Sequence, residues 1–452
     1  MGAIQKIKAL LDKPDPYRNA PSDLRELQLE AARERFAERR SKIKVLDRRA
    51  REAGIDEIRS FSDLVPLLFS HTNYKGYPDS FMDNAQWSNM NRWLETMSSV
   101  PVTGMDIGDI KDADDWLARL EAAGHYVFAS SGTSGKCSFL DQNAEDRDFS
   151  YKGFSTAFTE AWKPHVPANR HIVYAFMSPK GTHRYSWVGA QFQKDNVAAP
   201  GELLHLSEEP MLSSPGIRAG MLRRRLAAGT ALPDEVAAFD AENAAQAKKM
   251  QTRMEEYLDE IRENLHKPIS FSLQWPQAFQ VAEGLRARGV KDGDVHPDTI
   301  VQMGGGVKGV KLPDDFRERV YSFFRLPKDH YPTCYGMVEM TGMCPYKHEL
   351  GGYAFPPWQI PLILDKSGEQ LLNPADEKGI VEGRMAVFDL LAEARWGGVI
   401  SGDKVTVEFS PGDGLSGPLV RSIARYAELE ESEDKLSCAG TIDAYVRGEL
   451  KL

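Results

Sequence analysis

The sequence predicts an α/β protein whose ligands sit at the ends of sheet strands, followed by a smaller β-rich unit. Apolar runs such as Tyr126–Ala129 and Thr299–Met303 lead into loops rich in glycine, and strongly helical stretches alternate with them. After residue 350 the texture changes: Gly351, Gly352, Pro356, Pro357 and Pro361 punctuate short apolar segments, and KVTVEFS (404–410) alternates like a half-exposed strand. The expected boundaries are a helical region over 1–120, an α/β region over 121–345, a β-rich subdomain over 346–435 and a short stub over 436–452.

From the N-terminus, residues 21–54 are rich in helix formers, open on Ser22 after a proline and close on Gly54. They predict one long charged helix or two, with Ser22 as the cap. Arg33 to Arg51 is a basic stretch, but Glu34, Glu38 and Asp47 interleave opposite charge, so it reads as a solvated helix face. Residues 112–123 predict a short amphipathic helix stopped by Gly124, and the strand after it enters a Ser/Gly loop. HIVYAFM (171–177) reads as a buried strand. Residues 245–265 read as a helix whose Met250, Met254, Tyr257, Leu258 and Ile261 form one core stripe.

Composition bounds the function. A chain of 452 residues with 42% hydrophobic and 27% charged side chains can bury a large core in two or three subdomains. A net charge of −10 without a basic stripe argues against nucleic acid as a partner. Cys137, Cys334, Cys344 and Cys438 include no C-x-x-C pair, and Cys344 with His348 lacks a second ligand pair, so neither a disulfide framework nor a zinc site is expected. No apolar run is long enough to span a membrane, which makes cytoplasmic residence the default. Lys6 stands where a myristoylation signal at Gly2 would need Ser or Thr.

Three constellations carry chemistry. The first is SSGTSGK, Ser130 to Lys136, directly after a predicted strand: small residues let the backbone wrap phosphate oxygens, hydroxyls donate to them and lysine offsets their charge. It is not a Walker A loop, because Ser130 and Cys137 stand where glycine and Ser/Thr would be needed. The second is Tyr335-Gly336-Met337-Val338-Glu339 and the third Ser401-Gly402-Asp403 at the head of a strand. An aromatic can stack on a purine, a glutamate can hold magnesium, and an aspartate on a tight turn can accept from both hydroxyls of a ribose. Alone, each of these patterns is equally that of a plain turn.

Taken in order, with GGG (304–306) between the first and second, these motifs resemble the adenylate-forming superfamily of acyl- and aryl-CoA ligases, peptide-synthetase adenylation domains and firefly luciferase. The long helical N-terminal region, GGGVKG (304–309) and the PPW of Pro356 to Trp358 are similar to the phenylacetate-CoA ligase branch and the acyl-protein synthetases of bacterial bioluminescence. The resemblance spans roughly residues 55–448.

It implies that Ser131, Gly132, Thr133, Ser134 and Lys136 hold the ATP phosphates, and that Tyr335 and Gly336 flank the adenine. Glu339 would bind magnesium with Thr133, Asp403 and Arg425 would hold the ribose, and Gly304, Gly305 and Gly306 would line the adenine and acyl pocket. It further implies attack of a carboxylate on the α-phosphorus with pyrophosphate leaving, then transfer of the acyl group to a thiol of CoA or a carrier protein. ATP, Mg²⁺ and CoA are thus the expected cofactors and co-substrate, and a homodimer is a candidate assembly.

Two departures qualify the resemblance. The family continues into a mobile C-terminal domain carrying a lysine that assists adenylation; this chain stops soon after Asp403, so that domain is expected to be absent and Lys308 becomes the replacement cation. Cys137 stands near the place of the family's proline. The alternatives are an amine or Cys438 as acceptor, nitrite as the acid, or a catalytically weak nucleotide-binding protein. Tyr185, Trp187, Phe192 and Trp275 suit a flat acid, or a core, and His183 in HRYSW (183–187) could meet a carboxylate, or solvent.

Overall fold

A computed structural model describes residues 1–70, 72–130, 136–162, 172–176, 183, 186–196, 198–207, 209–210, 212–304, 307, 310–412 and 414–426. The chain divides into two compact units, one drawn from Met1–Thr156, Ser213–Met221 and Tyr335–Leu452, the other from Ala157–Leu212 and Leu222–Cys334. Among the described residues no helix is long and apolar enough to cross a membrane.

The first unit opens with helices. The expected 21–54 segment forms two, Leu24–Arg39 and Lys44–Ala53, the second ended by Gly54 in the left-handed conformation at φ 67°. Asp23 rather than Ser22 is the residue before the first helix, and its side chain makes no cap bond; the Leu24 amide instead closes a turn on the Pro21 carbonyl. Nor is the basic face all solvated. Arg35 and Arg39 are buried and converge on Glu393, with Arg39 Nη2 2.7 Å and Arg35 Nη1 3.0 Å from Glu393 Oε2, and Lys8 reaches the other oxygen at 2.8 Å. A carboxylate more than 350 positions away decides the burial of two arginines whose local sequence looks solvent-facing.

The helix expected over 112–123 forms as Ala113–Ala122, because the Asp112 carboxylate accepts from the amides of Asp114 and Asp115. Gly124 at φ 92° then turns the chain into the short strand Phe128–Ala129, paired antiparallel with Phe139–Leu140. Trp87, Trp93, Trp116, Tyr77 and Phe139 pack as tilted, stacked and edge-on rings around this hairpin, with centroids 5.0 to 6.4 Å apart. Behind it lies a buried polar knot. Asp141 accepts from Ser98 Oγ at 2.6 Å and from His125 Nδ1 at 3.0 Å, while His125 Nε2 donates to the Pro101 carbonyl at 3.1 Å.

Burial alone would depress the His125 pKa, but the Asp141 bond and charge and the Pro101 carbonyl outweigh it, so the imidazolium is favoured. A histidine raised in the folded state stabilises fully below its unfolded pKa of about 6.5 and loses that contribution as pH rises through the higher folded value. The stability difference between wild type and His125→Gln, measured by urea unfolding, is therefore expected to be larger at pH 6 than at pH 9. Equal differences at both pH values would show that His125 is neutral in the fold.

The β-rich part of this unit is one eight-stranded sheet in the order Gln359–Leu364, Gly379–Asp389, Gly398–Phe409, Leu419–Arg425, Gly352–Ala354, Cys344–Lys347, Cys334–Tyr335. Neighbours along Gln359–Leu364 to Leu419–Arg425 run antiparallel, and burial alternates over residues 402–409, as the pattern of KVTVEFS predicts. The eighth strand is the two-residue Phe69–Ser70, which pairs in parallel with Val399 and Ile400.

The second unit is a four-stranded parallel sheet in the order Ala198–His205, Ile172–Phe176, Ile269–Gln274, Ile300–Gly304, with helices including Pro233–Asn264, Trp275–Ala287 and Phe316–Phe324. Met254, Tyr257, Leu258 and Ile261 are core, as their spacing predicts, and Met250 packs against them half-buried. Leu258 lies so close to Gly284 that a Cβ there would come within 2.5 Å of it, which explains a glycine inside a helix.

Candidate nucleotide site

The strand Gly398–Phe409 is interrupted on both edges at Ser401-Gly402-Asp403. On one edge its register with Gly379–Asp389 shifts, Ala386 facing Ile400 and Arg384 facing Lys404, so that these three residues stand opposite the single Met385. On the other edge the partner changes, from Phe69–Ser70 at residues 399–400 to Leu419–Arg425 from Asp403 onward. Side-chain bonds hold the bulge in shape: Ser401 Oγ donates to the Met385 carbonyl at 2.9 Å and accepts from the Asp403 amide at 3.1 Å. The break in the ladder and the change of strand partner coincide at this triplet, where Asp403 resumes pairing with Arg425.

Asp403 is buried and holds two of the expected residues. Its Oδ2 accepts from the Tyr335 hydroxyl at 2.9 Å, and its Oδ1 lies 3.1 Å from Nε of Arg425, its cross-strand partner. Burial first, and then the adjacent Asp403 charge, push the Tyr335 phenol well above its ordinary pKa, so it stays a donor. Arg425 is 64% exposed in its side chain. Each carboxylate oxygen offers two lone pairs, so Asp403 retains acceptor capacity for two further donors.

Tyr335 and Gly336 belong to a strand end followed by a turn, and Glu339 sits in that turn. The turn is fixed from behind: Gly342, at φ +85°, lies so close to Gly153 of the helix Ala144–Trp162 that a Cβ would stand 2.8 Å from its carbonyl carbon. Glu339 is buried, which raises its pKa, against attraction from Arg395, Lys75 and Arg425. Arg395, 2% exposed, donates through Nη2 to the Glu339 carbonyl at 3.1 Å and lies 3.8 Å from Asp146 Oδ1. Burial opposes its cationic form, but the charges of Asp146, Asp389 and Glu339 outweigh that and favour it.

Lys136 directly follows residues 131–135 of the Ser/Gly motif. Its Nζ donates to the Tyr77 carbonyl, lies 3.2 Å from Asp79 Oδ1 and sits 4.4 Å from the Tyr77 ring centroid. The Tyr77 hydroxyl donates to the Cys137 carbonyl at 3.1 Å. Ser131, Gly132, Thr133, Ser134, Gly305, Gly306 and Lys308 lie outside the described residues, as do Tyr185 and Cys438.

Among the described candidates the structure brings Tyr335, Asp403 and Arg425 into contact and sets Glu339 within their field; Lys136 is held by a different segment, residues 77–79. Gly304, His183 and Trp187 belong to the second unit. Gly304 ends the strand Ile300–Gly304, and among the described residues no atom lies within 4 Å of where a Cβ would stand; His183 and Trp187 are half-buried, Trp187 in the helix Ser186–Asn196.

Sequence reasoning did not single out Tyr74, Lys75, Tyr77, Asp79 or Arg395. The one available signal was NYKGYPD (73–79), an aromatic-rich stretch with Gly and Pro directly after the apolar run ending at Phe69. Among the described residues no group of three or more His, Cys, Asp or Glu side chains gathers as a metal site. Glu339 as a lone protein carboxylate fits magnesium, which keeps most of its water and substrate oxygens, better than it fits an ion needing a protein cage.

No family model matches the sequence, and no curated protein is similar to it. The described fold is mixed α/β. Among solved structures, the chain is similar to an open conformation of 2-hydroxyisobutyryl-CoA ligase in complex with 2-HIB-AMP and CoA, with a TM-score of 0.51 and 10% identity over 97% of this chain and 93% of that chain. A second structure of that ligase, with the same ligands in the thioesterification state, gives a TM-score of 0.49 and 12% identity over 91% and 72%. At such identity the first likeness establishes the shared fold, and with it the α/β class expected from the sequence.

Proposed function

We propose that this chain activates a carboxylic acid with ATP, forming an acyl-adenylate with release of pyrophosphate, and passes the acyl group to a thiol such as that of CoA. The observation that carries this reading is the contact of Tyr335 and Asp403, drawn from two separate motifs, and of Arg425 with Asp403 at the bulge of the sheet. Asp403 has the free acceptor capacity to take both hydroxyls of a ribose, while Tyr335 fixes the carboxylate's orientation. Glu339 would share magnesium with the phosphates and Thr133, and magnesium would offset charge on the leaving pyrophosphate. Lys136 would neutralise the phosphates wrapped by residues 131–134. Catalysis is then positioning and electrostatics, with no protein nucleophile in the adenylation half.

The acid and its acceptor are the finer part of the proposal, an aryl or acyl acid and a thiol. The test is pyrophosphate release from ATP and Mg²⁺ against a panel of aryl, hydroxy and fatty acids plus nitrite, with and without CoA. Release that depends on one acid is expected, with a further rise on adding CoA. Lys136→Ala should lower it by about tenfold, a moderate loss because Asp79 already balances part of that charge. Absence of release with every acid, alongside tight ATP binding, would instead leave a nucleotide-binding protein.

A further inference from the structure

The Pro356-Pro357-Trp358 motif takes no part in the ribose contact, yet it reaches the turn that carries Glu339. Trp358 Nε1 and Gln359 Nε2 both donate to the Thr341 carbonyl, each at 3.0 Å, and so occupy both lone pairs of that oxygen. The Thr341 amide donates to Oδ2 of Asp389, the cross-strand partner of Gln359. Arg395 Nη2 takes the Glu339 carbonyl at 3.1 Å. Three consecutive peptide groups leading away from Glu339 are therefore each held by a buried side chain, although none of them belongs to a helix or a strand ladder.

The grip depends on a close approach and a fixed motif. A Cβ on Gly153 would stand 3.2 Å from the Thr341 oxygen, so glycine there lets this carbonyl lie against the helix Ala144–Trp162. The motif is pinned by Gln28 Nε2, which donates to the Pro357 carbonyl at 2.9 Å, and by the Leu390 amide, which donates to the Trp358 carbonyl at 3.0 Å. Gln359 does not serve stability alone. Its Oε1 is buried with no partner among the described residues, which lowers stability, and an apolar side chain of similar size would avoid that loss but could not hold the turn.

Resting on the adenylation reading, we infer that Trp358 and Gln359 are positioning residues for that reaction: through the Thr341 carbonyl they fix the turn, so that the Glu339 carboxylate is presented in one place to the magnesium of MgATP. Neither side chain touches nucleotide or metal, and no bond is made or broken at either.

The experiment compares wild type, Gln359→Leu and Trp358→Phe as full chains by equilibrium titration with ATP in Mg²⁺ and in EDTA, by acid-dependent pyrophosphate release and by thermal unfolding. Gln359→Leu is expected to weaken MgATP binding about tenfold, the scale of outer-shell changes at metal sites, while ATP affinity in EDTA stays within about twofold. Its melting temperature should stay level or rise, because the unpartnered oxygen is gone. Trp358→Phe, which keeps an aromatic ring and loses the N–H, should shift MgATP affinity the same way, with pyrophosphate release falling in step in both variants. Unchanged MgATP affinity in either variant overturns the assignment of that residue. Equal weakening with and without Mg²⁺, or a loss that follows a lowered melting temperature, makes the role structural and overturns it as well, while the adenylation reading stands. If wild type releases no pyrophosphate with any acid, the adenylation reading fails first and this assignment falls with it.

Discussion

Glu339→Gln is expected to reduce acid-dependent pyrophosphate release by about 10²- to 10³-fold, the scale on which a single preorganised group aimed at transferring charge acts. Glutamine keeps the size of the side chain, and the backbone carbonyl of residue 339 remains available to Arg395 Nη2. The loss should therefore be chemical and not structural. Two readouts separate these. Thermal unfolding should be little changed, and the Mg²⁺ concentration giving half-maximal rate should rise, because a neutral amide is a poorer magnesium ligand than a carboxylate. A variant with activity within about threefold of wild type would remove Glu339 from the reaction.

Arg395→Met carries the largest expected effect on stability, a loss of about 3–5 kcal/mol, because it strands buried carboxylates after removing their common cation. Asp146 is 1% exposed, accepts from the amides of Asn143, Glu393 and Ala394, and has its pKa raised by burial against the pull of Arg395. Asp389 is equally buried and, with Arg395 present, already titrates at about 6. Without the arginine both carboxyls rise further. An acid raised in the fold stabilises below its unfolded pKa and destabilises as pH climbs through the folded value. The deficit of the variant in urea unfolding should accordingly be greater at pH 8 than at pH 5. A deficit below about 1 kcal/mol, or one flat across that range, would mean the two carboxyls find other partners.

Much of this fold was legible in local sequence because its cues are local. Gly54 and Gly124 end helices by accepting positive φ, Asp112 caps one through its own carboxylate, and the stripe from Met254 to Ile261 is set by helical spacing. Ser401-Gly402-Asp403 read as a turn at the head of a strand, whereas it lies inside the strand Gly398–Phe409, at a ladder break set by the partner strands. What stayed hidden depends on partners hundreds of positions away. Arg395 looks like any charged residue until Asp146, Glu339 and Asp389 fold around it, and Arg35 and Arg39 look solvent-facing until Glu393 arrives. Ser22 was misread because a plain backbone turn from Pro21 starts that helix, which no side chain is needed to cap.

The pairing of Phe69 and Ser70 with Val399 and Ile400 also bears on how the molecule reaches its native state. It closes a loop of well over three hundred residues to gain only two paired positions, an entropic cost that neither the short ladder nor local propensity offsets at the start of folding. The sheet strands that follow Gln359 are near neighbours in sequence and can zip by hairpins, whereas this last parallel step must wait until both chain segments have their own cores. The parallel step beside this triplet is therefore expected late, whereas Asp403 and Arg425 face each other across a hairpin of adjacent strands and can meet before it.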